Sequence, residues 1–283
     1  MKFIMSILKG MVMGAANIIP GVSGGTLAVS MGIYDEIISS INNLFKQFKK
    51  SALTLLPYFI GMGASLVGLS FIIKYCLTNH SLQTNVLFVG LILGGLPVIL
   101  GRFKGKKIGA GAGIAFVIAF AAIIGLQLVG SGGGDVALKA DVFGIVGLFF
   151  VGVIASATMV VPGVSGSMIL MILGYYDPVL GEVTDFFRAL KAFDMAGMMD
   201  GAKFLVPFGL GVVIGIFAIA KMIEFLLNKF EVITFAAILG LIIASPFAIF
   251  MAAENLVFSF GTISVSVVTF IVGFVIAFFL GRE

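Results

Sequence analysis

The chain has no tryptophan, one cysteine and one histidine, and only 11% of its 283 residues are charged. Soluble domains carry roughly 25% charged residues, so there is too little charge here to cover a water-facing surface. That excludes a soluble globular enzyme, and a hydrophobic content of 60% excludes a disordered chain. Cys76 has no second thiol with which to form an internal disulfide or a Cys-based metal cluster. His80 stands alone in a short polar loop and cannot build a His-rich metal site. The GxGxxG, P-loop and HExxH patterns are absent, so no catalytic residue, metal or cofactor is called for.

What the chain does contain is apolar length. Mean hydropathy is +1.23, and runs such as 109–128 and 258–280 are far longer than the alternating strands of an outer-membrane barrel. These features predict an all-α polytopic membrane protein. The 38 glycines suit close helix packing and broken helices. A net charge of +4 reads as topology and not as nucleic-acid binding, because the basic residues lie in loops. Lys2 before an apolar run resembles a signal peptide, but Lys9 interrupts that run and no clear cleavage site follows.

The N-terminal segment also recurs. Pro20-Gly21-Val22-Ser23-Gly24 returns as Pro162-Gly163-Val164-Ser165-Gly166, 142 positions later, and at the same offset Gly32 meets Gly174, Tyr34 meets Tyr176 and Asp35 meets Asp177. At an offset of 150, Pro57 meets Pro207, Gly61 meets Gly211, and 89–92 meets 239–242. Two matched stretches in the same order indicate a duplication. The chain therefore reads as a single transmembrane domain, 1–283, with repeat one at 1–130 and repeat two at 141–280. Each repeat holds a Pro-Gly-broken hairpin, re-entrant or spanning (3–42 and 142–180). Three spans follow each: 52–76, 85–101 and 108–130, then 203–227, 232–251 and 258–280. A hairpin that returns to its starting face, followed by three crossings, places the second repeat upside down. Basic residues concentrate on the face expected to be cytoplasmic, most clearly in loop 102–107, which puts both termini inside.

Pro lacks an N–H and Gly tolerates unusual backbone angles, so each Pro-Gly breaks its helix. Backbone groups freed at membrane depth need cover from protein or a watery cavity. Helix starts favour anions. Ser23, Gly24, Gly25 and Thr26 stand at one such start, and Ser165, Gly166 and Ser167 at the other. Two readings stand for these residues: a cradle for a phosphate or carboxylate, or kinks that only pack helices closely. The duplication favours the first. Asn17 precedes the first break and has Met159 as its repeat counterpart, so any role it has separates the two halves.

Asp35 and Asp177 close the two motif arms and are candidates for helix ends or gates. Lys221 and Glu224 are spaced to pair on one helix face and are candidates for a structural ion pair or a coupling site. Lys74 is placed to snorkel. The 29 phenylalanines suit lipid-facing and packing surfaces, or a groove for an isoprenoid chain.

The run Asn17-Ile18-Ile19-Pro20-Gly21-Val22-Ser23-Gly24-Gly25-Thr26 and its second copy, each followed by Gly, Tyr and Asp, resemble the bacterial and archaeal polyprenyl-phosphate transporters, formerly a domain of unknown function. The resemblance runs from Gly10 through the last span. It implies a multi-pass protein of the bacterial cytoplasmic membrane that returns undecaprenyl phosphate from the outer to the inner leaflet. That return recycles the lipid carrier for peptidoglycan and other envelope polymers. It further implies substrate contacts from Asn17, Gly21, Ser23, Gly24, Gly25 and Thr26 in one tip, and from Gly163, Ser165, Gly166 and Ser167 in the other. Polyprenyl phosphate and the bilayer are the expected partners, with a coupling ion (proton or sodium) and a homodimer left open. Two alternatives remain. Undecaprenyl-diphosphate phosphatases have a similar stretch that continues with Arg, where this chain has Gly24 and Gly166. An ion-coupled exporter of a small anion would need a polar path, whereas these spans offer mostly Gly, Ser and Thr.

Overall fold

The computed structural model describes residues 2–19, 22–129 and 136–282, and among them every regular element is an α-helix. The first half contains α1 (Lys2–Ala16), α2 (Gly24–Ser30), α3 (Tyr34–Asn42), α4 (Phe48–Gly68), α5 (Ser70–Asn79), α6 (Ser81–Gly94), α7 (Leu96–Gly101) and α8 (Ala110–Val129). The second contains α9 (Val142–Val160), α10 (Gly166–Ile172), α11 (Tyr176–Lys191), α12 (Met195–Lys229), α13 (Glu231–Ala252) and α14 (Phe260–Leu280). Among the described residues seven stretches are long and apolar enough to cross a bilayer: α4, α6 with α7, α8, α9, α12, α13 and α14. The three spans expected after each hairpin are all present, and the protein is an all-α polytopic membrane protein. Large apolar side chains such as Phe71, Phe143, Phe260 and Val267 are exposed, as a lipid-facing skin requires.

Local structure recurs at the offset found in the sequence. α2 and α10 each have seven residues, 142 positions apart. Both end in the same turn. Gly32 (φ +69°) and Gly174 (φ +74°) take the left-handed conformation. Ile33 N–H donates to Ala28 O and Gly32 N–H to Val29 O, each at 3.0 Å; Tyr175 N–H donates to Leu170 O at 2.9 Å and Gly174 N–H to Met171 O at 3.0 Å. This is the paired helix-end pattern that a glycine after the last turn permits. A seven-residue helix is about 10 Å long, against roughly 30 Å of hydrocarbon, so neither α2 nor α10 crosses alone.

The described chain divides into two compact units. The first is Met1–Leu128, Val161–Ser165 and Ala220–Glu283; the second is Val129–Val160 and Gly166–Ile219. In the first unit, helices meet backbone to backbone wherever a glycine removes the side chain from the seam. Gly10 and Gly14 of α1 face Tyr58 and Met62 of α4, and Gly61 of α4 faces Ile7 and Met11 of α1. Gly90 and Gly94 of α6 lie against Phe270 and Phe274 of α14, and Gly240 of α13 against Phe116 of α8. The core joins Ile123 of α8 to Leu241, Ala244 and Ala248 of α13, with Val161 and Val164 of the second motif packed on it. In the second unit, Gly211 of α12 lies against Phe149 of α9. The contacts Ile7–Gly61 and Phe149–Gly211 thus fall at the sequence offsets of 142 and 150.

Candidate functional site

α1 ends at Ala16 and the chain turns through 17–19, with Ile18 N–H donating to Ala15 O and Ile19 N–H to Ala16 O. Pro20 and Gly21 lie outside the described residues. Val22 is buried, and Ser23, in extended conformation, caps α2: Gly25 N–H donates to Ser23 Oγ at 3.2 Å. Gly24 N–H donates to Asn17 Oδ1 at 2.9 Å. An ideal Cβ on Gly24 would stand 2.9 Å from that same oxygen, so the absent side chain is what lets Asn17 reach the backbone. The first two N–H groups of α2 are therefore satisfied by the protein's own side-chain oxygens. Asn17→Ala is expected to leave Gly24 N–H without this acceptor and to cost about 1 kcal/mol, read as a small fall in thermal stability in detergent with helix content unchanged.

The second break is brought onto the first turn of α2. Gly163 (φ +85°) packs against Leu241, and its N–H donates to Thr26 Oγ1 at 2.7 Å. Thr26 is completely buried. A buried N–H without an acceptor would cost about 1–3 kcal/mol, so this contact fixes where the second loop sits against α2. Val161–Ser165, including half-buried Ser165, belongs to the same compact unit as Asn17, Ser23, Gly24, Gly25 and Thr26. Gly166 and Ser167 begin α10 in the other unit; an ideal Cβ on Gly166 would lie 3.0 Å from Thr158 Oγ1. α2 is wholly buried, and Ser30 near its end donates to Ile92 O at 3.2 Å.

The ionisable candidates divide. Asp35 Oδ2 is 2.6 Å from Arg102 Nη2, and the Arg102 guanidinium lies 5.0 Å from the centre of the Phe235 ring. Both members of the pair are about two-fifths exposed, so the pair stabilises by at most about 1 kcal/mol; its role is to tie α3 to the basic loop. Asp177 is exposed in the first turn of α11, where the helix dipole favours a carboxylate, and has no ion pair among the described residues. The expected pairing of Lys221 with Glu224 is not formed. Lys221 is exposed, while Glu224 Oε2 accepts from Asn42 Nδ2 at 2.8 Å. The Asn42 amide, which also donates to Ala220 O at 2.9 Å, holds that carboxylate toward α3. Lys106 and Glu231 form a further ion pair.

Arg102 and Asn42 entered the sequence reading only as a loop charge and as part of a hairpin. Nothing in their spacing pointed to Asp35 or Glu224, because both contacts join segments far apart in the chain. Glu36 was likewise not singled out, and its Oε2 accepts from Tyr58 Oη at 2.9 Å.

Comparison with known proteins gives a consistent result. Residues 13–267 match the family described as undecaprenyl phosphate translocase-like. A "Polyprenyl-phosphate transporter" of Staphylococcus aureus (strain NCTC 8325 / PS 47) is 34% identical over 284 residues, covering 98% of this chain and 95% of that protein. A "Polyprenyl-phosphate transporter" of Vibrio cholerae serotype O1 (strain ATCC 39315 / El Tor Inaba N16961) is 30% identical over 265 residues, covering 87% of this chain and 77% of that protein. No solved structure matches.

Proposed function

We propose a function that proceeds from one premise: this chain belongs to the undecaprenyl phosphate translocase-like family. It is a transporter of polyprenyl phosphate, moving the undecaprenyl form from the outer to the inner leaflet of the bacterial cytoplasmic membrane. Both termini are cytoplasmic, and the repeats are inserted with opposite orientation. The observation that carries the reading is the contact of Thr26 with Gly163, which joins the start of α2 to the second broken loop inside one buried site.

The chemistry follows from what occupies that site. Asn17 Oδ1 and Ser23 Oγ are neutral oxygens accepting from the N–H groups of Gly24 and Gly25. A phosphate presents oxygens of the same acceptor kind with more negative charge, and hydrogen bonds to an ionised acceptor are roughly twice as strong. The lipid headgroup takes over these N–H groups, and the hydroxyls of Ser23 and Ser165 turn to donate to it. The other candidate contacts, Gly21, Gly166 and Ser167, belong to the same two sequence motifs. The isoprenoid chain stays in the bilayer, so the protein needs no polar passage for it. α2 and α10 are too short to cross, which supports hairpins that re-enter and repeats that open alternately to each leaflet. Asp35 with Arg102 serves as a gate contact. The protein does no covalent chemistry on the phosphate. The diphosphatase alternative is disfavoured because Gly24 and Gly166 stand where such enzymes have Arg.

The test is leaflet exchange of undecaprenyl phosphate in liposomes containing the purified protein, with phosphate release from the diphosphate followed in parallel. Faster exchange without phosphate release is the expected result. The Ser23→Ala, Ser165→Ala double variant should stay folded, losing about 1 kcal/mol with the Ser23 cap, and slow exchange at least about tenfold, the loss of two hydrogen bonds to a charged group. Unchanged exchange in that variant would remove the serines from the site, and phosphate release by the wild type would restore the enzyme reading.

A further inference from the structure

A cavity of about 290 Å³ lies in the first unit, where α5 passes into α6 and α13 ends. It stands at the start of the span Ser81–Gly101, across the bilayer from Arg102, and at the end of the span Glu231–Ala252. Span ends lie at the depth of lipid headgroups. Asn85 lines the cavity and is only 3% exposed. Its Nδ2 donates to Ser81 O at 2.9 Å and stands 3.3 Å from Ser81 Oγ. A backbone carbonyl can only accept, so this contact fixes which end of the amide is nitrogen. Asn85 Oδ1 then accepts from nothing among the described residues. Of these residues only Ser65 Oγ is both enclosed and unpaired, so Asn85 Oδ1 opens into the cavity. Buried polar atoms are seldom left without a partner, and here the partner has room to come from outside the fold.

The rest of the wall decides which donor fits. The Ser81 hydroxyl donates to Glu254 O at 2.7 Å, which pins the loop after α13 over the start of α6. That loop brings the Glu254 carboxylate to the cavity, and Glu254 has no ion pair among the described residues. Thr78 Oγ1 gives its proton to Lys74 O at 2.9 Å and keeps lone pairs for a further donor. No lysine or arginine lines the cavity. One carboxylate among neutral acceptors selects a cation rich in N–H groups. A bare calcium ion takes about six to eight oxygen ligands, and among the described residues no three acidic, His or Cys side chains stand together to supply them. A quaternary ammonium is held by aromatic faces, and none lines this cavity. A primary ammonium has N–H donors to match the acceptors, and Leu77, Ile249 and Ala252 give its methylenes an apolar wall.

We propose that this cavity is a binding site for a primary alkylammonium group, separate from the two Pro-Gly motifs. Asn85 Oδ1, the Glu254 carboxylate and Thr78 Oγ1 accept its N–H bonds. A lipid with an ethanolamine headgroup and a free soluble amine both present that group, and a site at span ends favours the lipid. Its occupant bridges α5, α6 and the loop after α13, and so holds the ends of two spans together. None of these residues belongs to either motif, so the site does not depend on the transport reading.

The test immobilises the full-length protein in detergent and equilibrates it, in a buffer free of primary amines, with equal phosphatidylethanolamine and phosphatidylcholine of identical acyl chains. Retained lipid is then quantified by mass spectrometry. Phosphatidylethanolamine is expected to be held about tenfold or more over phosphatidylcholine, whose methylated headgroup has no N–H to donate. Glu254→Gln should abolish that preference, and because Glu254 is exposed the variant should fold. Asn85→Leu should abolish it too, which makes the loss independent of charge. Glu231→Gln, which removes a carboxylate from the other end of α13, should keep the preference. Equal retention of the two lipids, or a preference that survives both Glu254→Gln and Asn85→Leu, would overturn the site. Displacement of the lipid by ethanolamine at the same micromolar concentration would keep the ammonium site and assign it to a soluble amine. Displacement by sodium chloride at that concentration would overturn the assignment to an ammonium.

Discussion

Gly163→Ala is expected to destabilise the protein by about 2–5 kcal/mol and to lower its melting temperature by roughly 5–15 °C. Two independent costs produce this. The backbone at Gly163 has φ +85°, a conformation that costs an L-residue with a side chain about 1–2 kcal/mol. The new methyl would also stand 2.9 Å from Leu241 Cβ. Leu241 cannot retreat freely, because it packs with Ile123, Ala244 and Ala248, and overpacking such a core costs about 1–3 kcal/mol. The loop must then shift, and the Gly163 N–H moves away from Thr26 Oγ1. Gly63→Ala is the control, since nothing lies within 4 Å of a Cβ there; it should be neutral or stabilise by about 0.5–1 kcal/mol. Thermal unfolding in detergent measures both. A Gly163→Ala protein that melts with the wild type would show that neither the positive φ nor Leu241 constrains the loop.

Gly61→Leu is the second large expected effect, about 3 kcal/mol or more. The Cβ at this position would fall on the carbonyl of Ile7 and near the backbone N of Met11. Both are backbone atoms of α1, so no rotamer change relieves the clash and α1 must move away from α4. Gly10 and Gly14 on the opposite side of the same seam would then lose their close approach to Tyr58 and Met62. Since α1 carries the first break, leaflet exchange should fall with stability. Gly68→Leu faces nothing within 4 Å and should leave both unchanged. Equal exchange rates and melting curves for the two variants would sink the argument.

The parts of this molecule legible in the sequence are those governed by local rules. Apolar length located the spans, because a helix must satisfy its own backbone in lipid. The sequence reading closed the motif arms at Asp35 and Asp177, but both aspartates open the next helix. The arms end earlier, at left-handed Gly32 and Gly174, because a left-handed residue closing a helix favours glycine. What was not legible depends on tertiary neighbours. The N–H groups expected to face a ligand are capped by the side chains of Asn17 and Ser23. Asp35 finds Arg102 across 67 positions of chain. Glu224 turns to Asn42, 182 positions away, where helix spacing had offered Lys221. Lys9 entered the sequence reading only as an interruption of an apolar run, yet helix packing buries it.

The equality of the two short helices has a mechanical consequence. α2 is buried along its whole length and α10 has no buried residue, yet both keep the same length and close with the same pair of hydrogen bonds. Their shape is therefore dictated by their own residues and owes little to what surrounds them. Each is a stiff cartridge that can be carried without being reshaped. Bending during transport then falls outside them, on residues such as 22–23 and 161–165, which are not helical. Substitutions that stiffen those stretches should act on the speed of the cycle, while substitutions inside the cartridges should act on whether it assembles at all.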